Sequence, residues 1–257
     1  MAALILALAA CGPNIKDLEK GEEGRVASVS DGDTMVLDSG LRVQLTGIIA
    51  PRRGFRERPD EPKAQEALQT LEKLALGRRV LLAYGGDKRL PEVDPPLALA
   101  QVFVETEGGR WLWAQEAMLR EGMARVRTFK TNHARTAALY QAEAIARRQK
   151  LGMWADKSYT LRNAANIKAD DSGFQIVEGK VLSVGKTETR TYLNFGEDYR
   201  TDFTVSINAA DLAAWTAADT ALDSLKDKRI RVRGFVYDSG GPLIRVDHPQ
   251  AIEVLAQ

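Results

Sequence analysis

The chain has 257 residues and a formal net charge of +1, long enough for one large or two small domains but without a bulk positive field to hold nucleic acid over its whole surface. Hydrophobic residues are 44% and charged residues 28% of the chain, which excludes an intrinsically disordered polymer. Cys11 is the only cysteine, so neither an internal disulfide nor a thiolate metal cluster can form.

In chain order, residues 1–10, MAALILALAA, are an uncharged apolar run, too short for a transmembrane helix. The run ends in Leu8-Ala9-Ala10-Cys11-Gly12, which resembles a bacterial lipobox. That resemblance implies a lipoprotein signal over residues 1–11 and acylation at Cys11. The product would be anchored in the bacterial cell envelope and face the extracytoplasmic side (periplasmic in a Gram-negative cell). Residues 12–24 then read as a polar tether. The plainer alternative is a frayed helix with an incidental cysteine.

Residues 25–156 read as a first domain. Alternation in RVASVS, TMVLDS and LRVQLTGI predicts three half-buried strands, joined by turns at Asp31-Gly32-Asp33-Thr34 and Asp38-Ser39-Gly40. A basic, proline-bounded loop follows, residues 51–62. Helical spacing of Ala67, Leu68, Leu71, Leu74 and Ala75 predicts a helix over 63–76, stopped by Gly77. Strands are expected at 79–84 and 97–105, a turn at Gly108-Gly109, and helices over 113–121 and about 134–150. Residues 157–172 are polar and read as a linker. A second unit, 173–257, is expected to place strands at 174–184, 191–195 and 202–207, a helix over 209–225, and strands at 229–237 and 242–255. Both units thus read as α+β, mainly β, in a five-strand, one-helix order that suits a small OB barrel. The first unit carries two appended helices.

The stretch DGDT, the Gly47-Ile48-Ile49-Ala50-Pro51 loop, the LAQVFV strand, the REGMARV turn and the final Leu151-Gly152-Met153-Trp154 occur in that order. In this the first unit resembles the staphylococcal nuclease (thermonuclease) family. The resemblance implies an OB barrel and phosphodiester hydrolysis. It also implies a site of two arginines, one glutamate and a calcium ion bound mainly by two aspartates. Matched along the chain, the first aspartate falls on Asp33 and the second on Ile49. The general-base glutamate falls on Arg52. The first phosphate-binding arginine falls on Gln44, and the second, in a pair that here reads Pro96-Leu97, on Leu97. The two tyrosines that flank the base pocket fall near Thr128 and Lys130.

An isoleucine offers calcium no oxygen. A guanidinium stays protonated and accepts no proton. Losing one charge-stabilising group typically raises a barrier by about 2.7–4 kcal/mol, and losses within one unit do not add. The expectation is a pseudo-nuclease with Asp33 as a vestigial metal ligand and no confident catalytic residue. No cofactor is expected, with calcium required only if the domain is active. Glu57, Glu61 and Asp94 are the acids that would have to move in to restore chemistry. All three read more simply as solvated loop residues.

Arg52, Arg53, Arg56 and Arg58 crowd the loop beside the matched site. One reading is a patch for phosphate, nucleic acid or anionic headgroups. The other is a solvated loop neutralised by Glu57, Asp60 and Glu61. Arg125, Arg127 and Lys130 alternate on what reads as an extended segment and would add to one basic face. His133 and His248 read as isolated surface or turn residues. In the second unit Tyr192, Phe195, Tyr199 and Phe203 lie among Arg190 and Arg200. They read either as a base-stacking face or as core and hairpin residues. The partners expected are a nucleic acid or another anionic ligand, an envelope protein, and the membrane through Cys11. Competing with the binding role are an active extracytoplasmic metal-dependent nuclease and a purely protein-interacting module.

Overall fold

A computed structural model describes residues 12–90, 96–198 and 200–256. Cys11, Asp94 and Tyr199 lie outside the described residues. Among the described residues the architecture is mainly β with four α-helices, and the chain divides into two compact units. The first comprises residues up to 126 together with 137–153, and the second 127–136 together with 154–257. Among the described residues no helix is long and apolar enough to cross a membrane.

The first unit contains β1 (Glu19–Asp31), β2 (Thr34–Leu37), β3 (Arg42–Leu45), β4 (Gly47–Ile49), α1 (Ala64–Ala75), β5 (Arg79–Tyr84), β6 (Arg89–Leu90), β7 (Leu97–Glu105), β8 (Trp111–Trp113), α2 (Ala114–Arg120) and β9 (Arg125–Arg127). The helix α3 (Thr136–Gln149) follows. The strands pair in the order β3-β2-β1-β5-β7, and β3 also pairs β7 in parallel, so the pairings return on themselves in a ring. Inside lie Met35, Leu37, Val43, Leu45, Val80, Leu82, Val102 and Val104, with Leu71 of α1, Met118 and Leu119 of α2, and Leu139 of α3. Alternation puts these side chains on one face, and α1 contributes an apolar stripe of Ala67, Leu68, Leu71 and Ala75.

The strand β1 begins at Glu19, inside the stretch read as a tether. Charge pairing with β5 and the turn after it explains the extension. Lys88 Nζ meets Glu19 at 2.5 Å, Arg79 Nη2 meets Glu23 at 2.5 Å, and Arg89 pairs with Glu22. Tyr84 donates its hydroxyl to Glu22, and burial together with that carboxylate pushes its pKa up to about 12. The Tyr84 ring lies where any Cβ on Gly21 would sit, so this position takes glycine. Ile15 and Leu18 pack on the outer side of β5 and β7 with Trp111 and Trp113.

The second unit contains β10 (Arg162–Asn163), β11 (Gly173–Lys180), β12 (Ser183–Lys186), β13 (Arg190–Asn194), β14 (Thr204–Asn208), α4 (Leu212–Ala217), β15 (Arg229–Asp238), β16 (Pro242–Arg245) and β17 (Ile252–Val254). The sheet order is β10-β11-β15-β16-β14-β13-β12, with β17 on β15. Its core includes Val177, Leu193, Phe203, Val205, Ile207, Trp215, Ile230, Val232 and Ile244.

Two expectations are corrected here. The stretch 157–172 is not a free linker: Tyr159, Ala164 and Ile167 are buried, and β10 pairs β11 in parallel. The helix over 209–225 is broken. Asp219 turns left-handed at φ 50°. Thr220 N–H then bonds Trp215 O at 3.0 Å and Asp219 N–H bonds Thr216 O at 3.1 Å, the paired closure of a helix C-terminus. The apolar spacing continues past the break because Leu222 and Leu225 still reach the core.

Substituting Gly21→Ala will force the Tyr84 ring aside and cost about 1–3 kcal/mol, read from denaturant midpoints. Gly12→Ala, where a Cβ meets nothing, will leave the midpoint unchanged.

Candidate functional site

The DGDT turn joins β1 to β2 and carries two aspartates. Gly32 allows the turn to press against α1, since a Cβ there would sit 2.7 Å from the Cβ atoms of both Ala50 and Ala67. Asp33 is buried at 7% exposure. Its Oδ2 accepts the Ala50 amide at 3.0 Å, and its Oδ1 accepts the Thr34 hydroxyl at 3.0 Å. Burial raises its pKa above the ordinary aspartate value, and the neighbouring Asp31 raises it further. Asp31 is raised as well, mainly by burial, against the opposing pull of the Gly32 and Arg53 amides and the Arg52 and Arg53 guanidiniums. Sequence reading did not single out Asp31. Its signal was its place two residues before Asp33 in the same turn.

The other matched positions gather around this turn. Gln44 on β3 stands opposite Thr34 of β2 and Leu99 of β7. Its neighbours Val43 and Leu45 fill the core, so Gln44 belongs to the other face. Leu97 stands opposite Arg42, on the same face of β7 as Leu99. Ile49, at the end of β4, is buried and immediately precedes the amide that Asp33 holds.

Residues 42–156 match the family model for staphylococcal nuclease homologues. The thermonuclease of Staphylococcus intermedius is 28% identical over 138 residues, covering 52% of this chain and 77% of that protein. A probable endonuclease LCL3 of Komagataella phaffii is 30% identical over 117 residues, covering 44% of this chain and 49% of that protein. That of Verticillium alfalfae is 25% identical over 153 residues, covering 58% and 51%. The chain spans about half the length of these two fungal proteins. This chain carries a staphylococcal-nuclease-like domain.

The donor set of the nuclease-like domain does not suit a calcium ion. Such an ion takes six to eight oxygens. Each Asp33 oxygen already accepts one hydrogen bond, the Ile49 side chain supplies no oxygen, and the charge of Asp31 is opposed by two guanidiniums. Among the described residues no group of three His, Cys, Asp or Glu converges on one point. Arg52 is the nearby cation that both turn aspartates feel. At the position matched to a general base, it supplies positive charge and no proton acceptor.

The loop after Pro51 uses its acids on its own backbone. Glu61 Oε2 accepts the Arg52 amide at 3.1 Å, and Asp60 Oδ1 accepts the Gly54 amide at 2.7 Å. Glu61 is thereby a loop clamp rather than a replacement acid. Phe55 is 69% exposed, with the Arg56 guanidinium 5.2 Å over its ring. Among the described residues no carboxylate forms an ion pair with Arg53, Arg56 or Arg58.

The expected alternation of Arg125, Arg127 and Lys130 on one face is corrected. The strand β9 stops at Arg127 and Arg125 is buried. Arg127 and Lys130 belong to the second unit, where Lys130 Nζ pairs with Asp211 at 2.7 Å. His133 is exposed, and His248 lies in the expected turn before β17 but is buried at 3%. His248 Nε2 meets the Thr128 hydroxyl at 2.7 Å and its Nδ1 meets Asp247 at 2.5 Å. Among the aromatic candidates, Phe203 is core and pairs with Phe195 at 5.0 Å. Arg190, Tyr192 and Arg200 instead line one cavity of about 730 Å³ with the Gly240-Gly241 hairpin.

Asp33→Ala will remove two acceptors and strand the buried Ala50 amide, costing about 2–4 kcal/mol in denaturant unfolding. The raised pKa values of Asp31 and Asp33 mean the folded state binds protons more tightly than the unfolded one. Their contribution therefore falls as pH rises from the ordinary aspartate value through the raised one. Asp31→Asn will flatten that slope in pH-dependent unfolding.

Proposed function

We propose that the nuclease-like domain is a pseudo-nuclease that binds nucleic acid or another phosphate-bearing polyanion without cleaving it. One observation carries the reading: Arg52 takes the place matched to the general base, beside Asp31 and Asp33. A guanidinium there supports anion binding and cannot activate water. The unpaired Arg53, Arg56 and Arg58 extend the positive surface, and exposed Phe55 offers a ring against which a base can stack. We further propose that the second unit is of OB type and contributes the cavity of Arg190, Tyr192 and Arg200. We also propose that Cys11 anchors the chain by lipid in the bacterial envelope, a reading supported by the apolar run that precedes it.

The names of the relatives favour a second reading, an active metal-dependent nuclease. Full-length protein incubated with single-stranded DNA and RNA in millimolar calcium, then magnesium or manganese, separates the two. The expected result is no cleavage. Metal-dependent cleavage that disappears in Asp33→Ala would overturn the proposal.

Oligonucleotide titration at several salt concentrations tests the loop. Replacing Arg53, Arg56 and Arg58 together by alanine will weaken binding and lower the slope of log K against log salt by about 2, since each lost phosphate contact on a single strand removes about 0.7. An unchanged slope leaves the protein-interaction module as the better account.

A further inference from the structure

The second unit holds a cleft of about 420 Å³ that the proposed function does not use. Its volume falls in the range of small-ligand sites, which begin near ~300 Å³. It is lined by residues of four segments: the end of β9 with the residues that follow it, Phe174 of β11, the stretch from β14 to β16, and the turn before β17.

The charges of the cleft are unequally matched. Asp211 pairs with Lys130 at 2.7 Å. Asp247 is held below the ordinary aspartate range by its hydrogen bond to His248. Arg233 reaches Glu253 at 2.7 Å. The lining acids are thus committed to Lys130 and His248, and one lining arginine to an acid outside the lining.

Two further arginines are mounted on aromatic rings. Arg127 lies 4.6 Å over Phe129 and 5.0 Å over Phe235, and Arg245 lies 5.0 Å over Tyr237. Stacking occupies the face of a guanidinium, while its planar N–H edge is the surface that matches phosphate. Among the described residues no carboxylate forms an ion pair with Arg245.

The polar wall is ordered by a hydrogen-bonded chain. Nδ1 of His248 meets Asp247 at 2.5 Å, and its Nε2 meets the Thr128 hydroxyl at 2.7 Å. The chain fixes Thr128 and the turn at 247–248 against one another, which sets the spacing between the segments that carry Arg127 and Arg245.

We propose that this cleft binds a phosphomonoester carrying a planar ring, with Arg127 and Arg245 on the phosphate and the aromatic lining on the ring. A free phosphate would fill only a small part of the volume. The ring accounts for the rest, packing against the aromatic lining where the two guanidiniums leave it uncovered. A free nucleotide and a 5′-phosphorylated strand end share this chemistry.

Full-length protein titrated with adenosine 5′-monophosphate, adenosine and inorganic phosphate by calorimetry tests it. The monophosphate is expected to bind saturably and adenosine at least about tenfold more weakly, the loss of roughly one charge-assisted contact. A pair of oligonucleotides with 5′-phosphate and 5′-hydroxyl ends distinguishes the strand end from the free nucleotide as the source. Arg245→Ala, at an exposed position, is expected to weaken the monophosphate at least about tenfold with an unchanged unfolding midpoint. Arg127→Lys checks the second arginine should Arg127→Ala fail to fold. The variant lacking Arg53, Arg56 and Arg58 is expected to bind the monophosphate normally, so failure of the loop reading and of this one are separable. Equal binding of adenosine and its monophosphate, no saturation by either, or no effect of Arg245→Ala and Arg127→Lys would overturn the proposal. Loss of monophosphate binding in the triple loop variant would do so too, because the anion would then belong to the loop.

Discussion

The hydrogen bonds of one buried carboxylate hold the nuclease-like site in its present form. Asp33 ties the start of β2, through Thr34, to the segment after β4, through the Ala50 amide. These pieces are brought together only when the sheet forms, so the carboxylate reports and stabilises the closed arrangement. A buried acceptor with two donors in place is a settled group, whereas a buried donor without it would carry the full cost of desolvation. This explains why an aspartate suits the position whether or not a cation ever visits it.

The same use of acids recurs nearby and determines what the surface can do. Asp31 accepts the amides of Gly32 and Arg53, Asp60 that of Gly54, and Glu61 that of Arg52. Carboxylates spent on backbone amides are not available to guanidiniums. In the loop after Pro51 the acids that cap backbone amides remain exposed beside the arginines, so both signs of charge face water. Composition counts charges, but hydrogen bonding decides which of them a ligand meets.

How much of this was legible in the sequence follows from how local each feature is. The strands at Arg79–Tyr84 and Leu97–Glu105 and the helix at Ala64–Ala75 are set by apolar spacing and a glycine stop, and their bounds could be read directly. The matched positions Asp33, Gln44, Ile49 and Arg52 also surround one turn, because a shared order of motifs fixes the register of the sheet. The start of β1 was not legible. Its residues are polar and gain strand structure from Lys88, Arg89 and Arg79, which lie far along the chain. The break at Asp219 was hidden for a related reason. Its closure is backbone hydrogen bonding with a left-handed aspartate, while the side chains on both sides keep helical spacing. The turn at His248 was legible but its burial was not, because its partner Thr128 is 120 residues away.

The segment after β9 shows the same dependence on distant partners. The sequence places Thr128 and Lys130 near positions where the resembled family has aromatic walls, and from that alone they are losses. In three dimensions Thr128 bonds His248 and Lys130 pairs with Asp211, so each has a defined partner within the second unit. Residues 127–136 group with the second unit. A substitution that removes one function is neutral to the fold only if the new side chain is solvated or satisfied. Here the replacements are satisfied by specific groups, and those groups border a cleft with its own arginines.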